Sequence, residues 1–80
     1  MNRLLERIDI DPKVMFGKPV IRGTRITVEM ILKKLSQRIS VEDILRDYPR
    51  LTEEDIKAAI AFASESLATD ETFVLIGEKS

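Results

Sequence analysis

The fold of this chain is decided by residues 17–35, which read GKPVIRGTRITVEMILKKL. Two glycines bracket the β-branched pair Val20 and Ile21, a pattern that is typical of a short strand between turns. After Thr27 the apolar residues recur at i, i+3, i+4 and i+7, which is the spacing of one helix face. The stretch therefore predicts a short strand followed directly by a helix.

The first two helices each begin after a hydroxyl residue that suits the N-cap position. Thr27 precedes a helix that we expect over about 28–37. Ser40 precedes a shorter helix over 41–47, and Asp43 stands where an acid completes a capping box.

The third and longest helix is expected to follow Thr52. Its first turn carries Glu53, Glu54 and Asp55, which complement the positive end of the helix dipole. Consecutive carboxylates point in different directions on a helix, so capping explains them better than metal or acid–base chemistry. The alanine-rich face of this helix allows close packing, either within the core or against a second subunit. The predicted buried stripe consists of Ile56, Ala59, Ile60, Ala63 and Leu67.

Segments with strand character lie on both sides of the helices. Ile8-Asp9-Ile10 alternates with the period of a strand and is expected to form a hairpin with Val20 and Ile21. Residues 72–76, which read TFVLI, form a second aromatic and β-branched run. We therefore expect one mainly α domain over residues 1–80, with an N-terminal β hairpin, three helices and a short C-terminal strand.

The tail over residues 69–80 is predicted to be an interaction segment. A strand turns alternate residues to opposite faces, so a fully apolar run needs burial on both faces. A small domain hardly supplies both, and the segment should lie across another chain, either its twin or a different protein. A homodimer is expected for the same reason. The residues assigned to this contact are Phe73, Val74, Leu75 and Ile76.

The composition argues against an enzyme. The chain has no Cys and no His, which removes thiol nucleophiles, Ser/His/Asp arrangements and Cys/His metal sites. We expect no catalytic residue, no metal and no cofactor. No apolar run reaches the length of a membrane span, and the first residues carry charges where a signal peptide has its apolar core, so we expect a cytoplasmic protein.

The charges are divided unevenly along the chain. Residues 1–38 carry nine basic and four acidic side chains, a net charge of +5, whereas residues 39–80 carry four basic and ten acidic ones, a net charge of −6. Lys18, Arg22 and Arg25 lie within eight positions and are the candidate contacts to DNA phosphates. The alternative is that they pair with carboxylates on the third helix, and simple solvation of two charged faces also stays open.

The second and third helices are joined by a tight turn, as in a helix-turn-helix. The third helix would then read the major groove. Its first turn carries three carboxylates, however, which DNA phosphates would repel. Any contact with DNA should therefore involve the basic first half of the chain.

Taken together, these motifs resemble the bacterial and archaeal domain-of-unknown-function 433 family over about residues 8–64. The resemblance implies a homeodomain-like helical fold with an N-terminal β element. It also implies the antitoxin of a type II toxin–antitoxin pair, which binds and neutralises a PIN-like ribonuclease toxin and, as a second target, its own operator DNA. The segments that carry it are IDP at residues 10–12, GKPVIRGTRI at 17–26, SVEDIL at 40–45, YPRLT at 48–52 and DIKAA at 55–59.

Two alternatives to the antitoxin stay open: a stand-alone DNA-binding transcriptional regulator, and a dimeric adaptor without nucleic-acid contact. The chain also departs from the family pattern at two positions. Relatives commonly carry glycine where this chain has Phe16 and where it has Arg38. Because a non-glycine residue in a left-handed cap costs about 1 kcal/mol, we expect the first helix to end differently here.

Overall fold

The computed structural model describes residues 3–68 and has the expected mainly α architecture with an N-terminal hairpin. The predicted C-terminal strand lies outside the described residues. None of the helices within residues 3–68 is long and apolar enough to cross a membrane. In chain order the elements are a 3-10 helix (Arg3–Arg7), strand β1 (Ile8–Asp9), a 3-10 turn (Met15–Gly17), strand β2 (Val20–Ile21) and helices α1 (Val28–Ser36), α2 (Val41–Asp47) and α3 (Glu53–Ala68).

The two strands form the predicted antiparallel hairpin. Ile8 pairs with Ile21 and Asp9 pairs with Val20, so both isoleucines face the core. The prediction was wrong for Ile10, which is 61% exposed. Strand β1 ends at Asp9. Ile10 therefore lies outside the strand and does not share the buried face of Ile8.

The core lies where the three helices meet. Each helix contributes one isoleucine with almost no exposed surface, and the hairpin packs its own isoleucines against the same cluster. Burying a side chain of this size is worth about 1.5–3 kcal/mol, so the cluster holds all five elements together. The three central residues are Ile31, Ile44 and Ile56.

Helix α3 turns a different face to the core than the sequence predicted. Ile56 and Ala59 are buried as expected, but Ile60 is 48% exposed and Leu67 is 51% exposed. Ala58 is fully buried instead. Because alanines let α1 and α3 approach closely, the helix turns its small residues inward, which rotates the larger Ile60 toward solvent.

The predicted caps of the first two helices are present. The Met30 N–H donates to Thr27 Oγ1 over 3.0 Å, and the Asp43 N–H donates to Ser40 Oγ over 3.1 Å. The carboxylate of Asp43 does not close a capping box at Ser40 as predicted. It accepts a hydrogen bond of 2.8 Å from Arg46 Nη1, because that side chain lies one turn further along the helix.

The prediction that α1 ends unusually was wrong. Arg38 has φ of +68° and takes the left-handed conformation that favours glycine. Its N–H donates to the oxygen of Leu35 over 3.0 Å, and the Ile39 N–H donates to the oxygen of Lys34 over 3.1 Å. These two bonds form a Schellman motif, which is an ordinary end for a helix. Arg38 takes the left-handed backbone conformation that this motif requires, despite its side chain.

Candidate functional site

A buried carboxylate at the start of α3 organises one side of the molecule. Asp55 is only 6% exposed. Its Oδ2 accepts from the Thr52 N–H over 2.9 Å, and its own N–H donates to Thr52 Oγ1 over 3.2 Å. This is a reciprocal capping box, which satisfies two main-chain donors at the helix start. Of the three acids that were expected to cap α3, Asp55 is the one whose side chain does so.

The second oxygen of Asp55 holds the N-terminal segment. Arg7 Nη1 donates to Asp55 Oδ1 over 3.1 Å, and the pair joins residues 48 positions apart. The side chain of Arg7 keeps 44% of its surface exposed, whereas that of Asp55 keeps 8%. The 3-10 helix Arg3–Arg7 is therefore fixed across the first turn of α3 by a charge-assisted hydrogen bond.

The two most distinctive sequence motifs meet beside this pair. Arg50, from the YPRLT segment, donates from Nη2 to the main-chain oxygen of Gly23 over 3.0 Å. Gly23 has φ of +79°, which turns the loop so that this oxygen faces Arg50. Arg22 is held on the same side, because its Nε donates to Asp9 Oδ1 over 3.0 Å and its N–H donates to the oxygen of Arg7 over 2.7 Å.

These contacts leave two adjoining cavities that we call the arginine surface. The larger encloses about 800 Å³ and contains four arginines together with Glu6, Glu54 and Asp55. The smaller encloses about 510 Å³, is lined in part by Asp9 and Asp11, and shares one arginine with the first. The arginines of the arginine surface are Arg3, Arg7, Arg22 and Arg50 in the larger cavity and Arg25 and Arg50 in the smaller.

Several of these guanidinium groups keep their donors available. Among residues 3–68, Arg3, Arg25 and Arg50 make no ion pair with a carboxylate. The planar guanidinium presents its N–H donors in a fork that matches carboxylates and phosphates. The arginine surface therefore presents guanidinium donors, interspersed with the carboxylates of Glu6, Glu54 and Asp55 in the larger cavity.

A model of the family DUF433, described as proteins of unknown function, matches residues 8–63. The chain belongs to the DUF433 family. The matched range contains Arg22, Arg50 and Asp55 but neither Arg3 nor Arg7. The expected match over about 8–64 is confirmed.

One solved structure agrees with this assignment, and two uncharacterized proteins are similar to the chain in sequence. A crystal structure of a DUF433 member from Anabaena variabilis superposes with a TM-score of 0.73 at 33% identity, covering 79% of this chain and 62% of that one. The uncharacterized protein y4eO of Sinorhizobium fredii is 34% identical over 58 residues, and the match spans 72% of this chain but only 26% of that protein. An uncharacterized protein of Archaeoglobus fulgidus is 64% identical over 25 residues, which cover 31% of this chain and 69% of that protein.

The structure separates the three basic residues singled out from the sequence. Arg22 and Arg25 lie on the arginine surface, on either side of Arg50. Lys18 lines neither cavity, and its Nζ contacts Glu29 Oε1 of α1 at 3.1 Å. The expected alternative, pairing with carboxylates on the third helix, was wrong in its partners, since Lys18 pairs with α1 and Arg22 with β1.

Sequence reasoning missed Arg3, Arg7 and Arg50. Arg50 had a signal, because it lies inside the motif that carries the family resemblance. Arg3 and Arg7 lie beside α3, whose residues come more than forty positions later in the sequence, so no local sequence pattern links them to the site. The predicted partner-binding residues 73–76 lie outside the described residues.

The first turn of α3 in this chain carries exposed carboxylates and lies beside the N-terminal segment. Glu53 and Glu54 are exposed on its first turn, while Asp55 is buried. The 3-10 helix Arg3–Arg7 packs against α3 and is tied to that turn through Arg7. A helix-turn-helix places the first turn of its recognition helix against the major groove. In this chain that turn carries carboxylates and lies beside the 3-10 helix Arg3–Arg7.

Proposed function

We propose that this chain is a non-enzymatic binding module, the antitoxin of a type II toxin–antitoxin pair that binds and neutralises a PIN-like ribonuclease. The toxin-neutralising role rests on the family resemblance, and the observation that supports a binding surface is the meeting of two family motifs through the hydrogen bond from Arg50 to Gly23. A surface assembled in this way offers guanidinium donors to individual carboxylates of a partner.

The chemistry of the arginine surface favours a protein partner that presents carboxylates. Arg25 and Arg50 face the smaller cavity without a carboxylate of their own among residues 3–68. Their neighbours Asp9 and Asp11 keep the local charge nearly balanced, which suits a shaped protein contact better than a long polyanion. The proposal places the pair in the cytoplasm, where a ribonuclease toxin finds its RNA.

A growth assay tests the proposal. The experiment requires a neighbouring reading frame that encodes a PIN-like protein, and the absence of such a frame would count against the antitoxin. Its product is expressed in a bacterial host, alone or with the chain, and growth is followed together with co-purification. We expect the wild-type chain and the Lys33→Glu control to restore growth, because Lys33 lies on the exposed face of α1. Arg25→Glu should fail to restore it. A chain that neither restores growth nor co-purifies with the toxin contradicts the proposal.

Operator DNA is a second candidate ligand, favoured by one observation. The side chain of Arg22 is 62% exposed beside Arg25, so both can reach phosphates from the rim of the arginine surface. Binding to its own promoter would make the chain a regulator as well as an antitoxin. Binding to DNA without any toxin would favour a stand-alone regulator, and binding to neither would favour an adaptor.

A further inference from the structure

An apolar groove runs between α1 and α3 and shares no lining residue with the arginine surface. It encloses about 410 Å³, and its surface is almost entirely carbon. Leu67 lies on the last turn of α3 and is 51% exposed. A large apolar side chain is thus left partly in water. The apolar residues that line the groove are Pro19, Val28, Leu32, Phe62, Ala63 and Leu67.

We propose that this groove binds residues 72–76 of a second copy of the chain, and that two copies exchange these segments reciprocally. The segment and the groove are both apolar, and the spacing of their large side chains corresponds. Phe73 and Leu75 would lie about 7 Å apart in an extended strand, and the groove residues Phe62 and Leu67 lie about 8 Å apart along the helix axis. Phe73 and Leu75 fall on the same face of such a strand and enter the groove.

The sequence between helix and segment favours a second copy over the same chain. Only three residues, Thr69 to Glu71, separate Ala68 from the segment. To occupy its own groove, the chain would have to reverse direction within them, and helices that reverse tightly usually do so at a glycine or asparagine. Neither is present in these three residues, so a tight reversal there would place a non-glycine residue in the left-handed conformation, at a cost of about 1 kcal/mol, as Arg38 does after α1. In the proposed dimer the segment reaches the groove of the second copy instead.

Reciprocal exchange also covers the second face of the segment. Val74 and Ile76 point away from the groove when Phe73 and Leu75 enter it. In a symmetric pair the two exchanged segments lie on equivalent surfaces related by a two-fold axis, so each copy helps to cover the other. The groove lies apart from the arginine surface, so the proposal stands whether or not the chain is an antitoxin.

Sedimentation of the whole chain tests the exchange with three variants. Leu67→Asp alters the groove, Leu75→Asp alters the segment, and Ile60→Asp is the matched control. Ile60 lies on the same helix with a similar exposure of 48%, but it does not line the groove. The wild type should be a dimer at micromolar concentration. Each of the first two variants should raise the dimer dissociation constant about tenfold or more, and the control should not.

Mixing the variants distinguishes exchange from occupation of the same chain. A Leu67→Asp copy retains its segment and a Leu75→Asp copy retains its groove, so a mixed dimer regains one intact contact. We expect mixed dimers to form at concentrations at which each variant alone is monomeric. Three results would overturn the proposal: a wild-type monomer throughout, a dimer that neither variant weakens, or variants that lose thermal stability without any change in mass.

Discussion

Arg50 donates a hydrogen bond of 3.0 Å from Nη2 to the main-chain oxygen of Gly23, 27 residues earlier in the chain. The bond joins the loop after β2 to the turn between α2 and α3, and it sets the wall that both cavities share. Because the hydrogen bond is exposed, we expect it to orient the Arg50 side chain and to add little to the stability of the fold.

Replacing Arg50 should therefore affect binding more than stability. Arg50→Ala removes one exposed hydrogen bond, and we expect urea denaturation to show a loss of about 0.5–1 kcal/mol. Toxin binding should fall as well, because alanine has no guanidinium fork to offer the partner. A loss of stability above about 2 kcal/mol would show instead that the bond supports the core.

Asp55 should matter far more to stability than its neighbours. Asp55→Ala removes the side-chain bond of the capping box and the buried partner of Arg7, so we expect unfolding free energy to fall by about 2–3 kcal/mol. Glu54→Ala removes only an exposed contact of 3.6 Å to Lys57 and should stay within about 0.5 kcal/mol. Equal losses in the two variants would refute the assignment of the capping box to Asp55.

The left-handed residue after α1 offers a gain in stability. Arg38→Gly relieves the strained conformation at φ of +68°, and we expect thermal denaturation to show a gain of about 0.5–1 kcal/mol. Gln37→Gly is the control, because Gln37 has φ of −89° and gains nothing from glycine. The control should lose stability. A loss in both variants would show that Arg38 makes compensating contacts.

The local signals in the sequence located the helices well. Thr27 and Ser40 accept main-chain hydrogen bonds as N-caps should, and α2 spans the residues that its pattern predicted. The capping box predicted at Ser40 does not close, although the sequence places an acid three residues after both Ser40 and Thr52. Only the burial of Asp55 beside Arg7 decides which box closes, and that interaction is not local.

The site was less predictable than the fold for the same reason. Lys18, Arg22 and Arg25 are close in sequence, but the hairpin turns Lys18 toward Glu29 and leaves the other two on the arginine surface. Arg7 and Arg50 join them through tertiary structure alone. Likewise, helical periodicity could not choose between the faces of α3, since apolar residues occur on more than one of them.

Binding to operator DNA should depend on the loop after β2. Changing Lys18, Arg22 and Arg25 together to alanine should lower the affinity and reduce the salt slope by about one for each phosphate that is no longer neutralised. Most of this effect should come from Arg22 and Arg25, because Lys18 lies off the arginine surface. Glu53→Ala and Glu54→Ala should not weaken binding. Unchanged affinity in the triple variant would exclude this loop as the DNA-binding element.

Calorimetric titration of the purified PIN-like toxin tests the central claim most directly. Wild type and Lys33→Glu should bind with the same dissociation constant, and Arg25→Glu should weaken binding about tenfold or more, because it places a carboxylate where the partner's anionic group docks. The difference should shrink at high salt. Equal affinity of the wild type and Arg25→Glu, or no heat of binding with the wild type, would contradict the account.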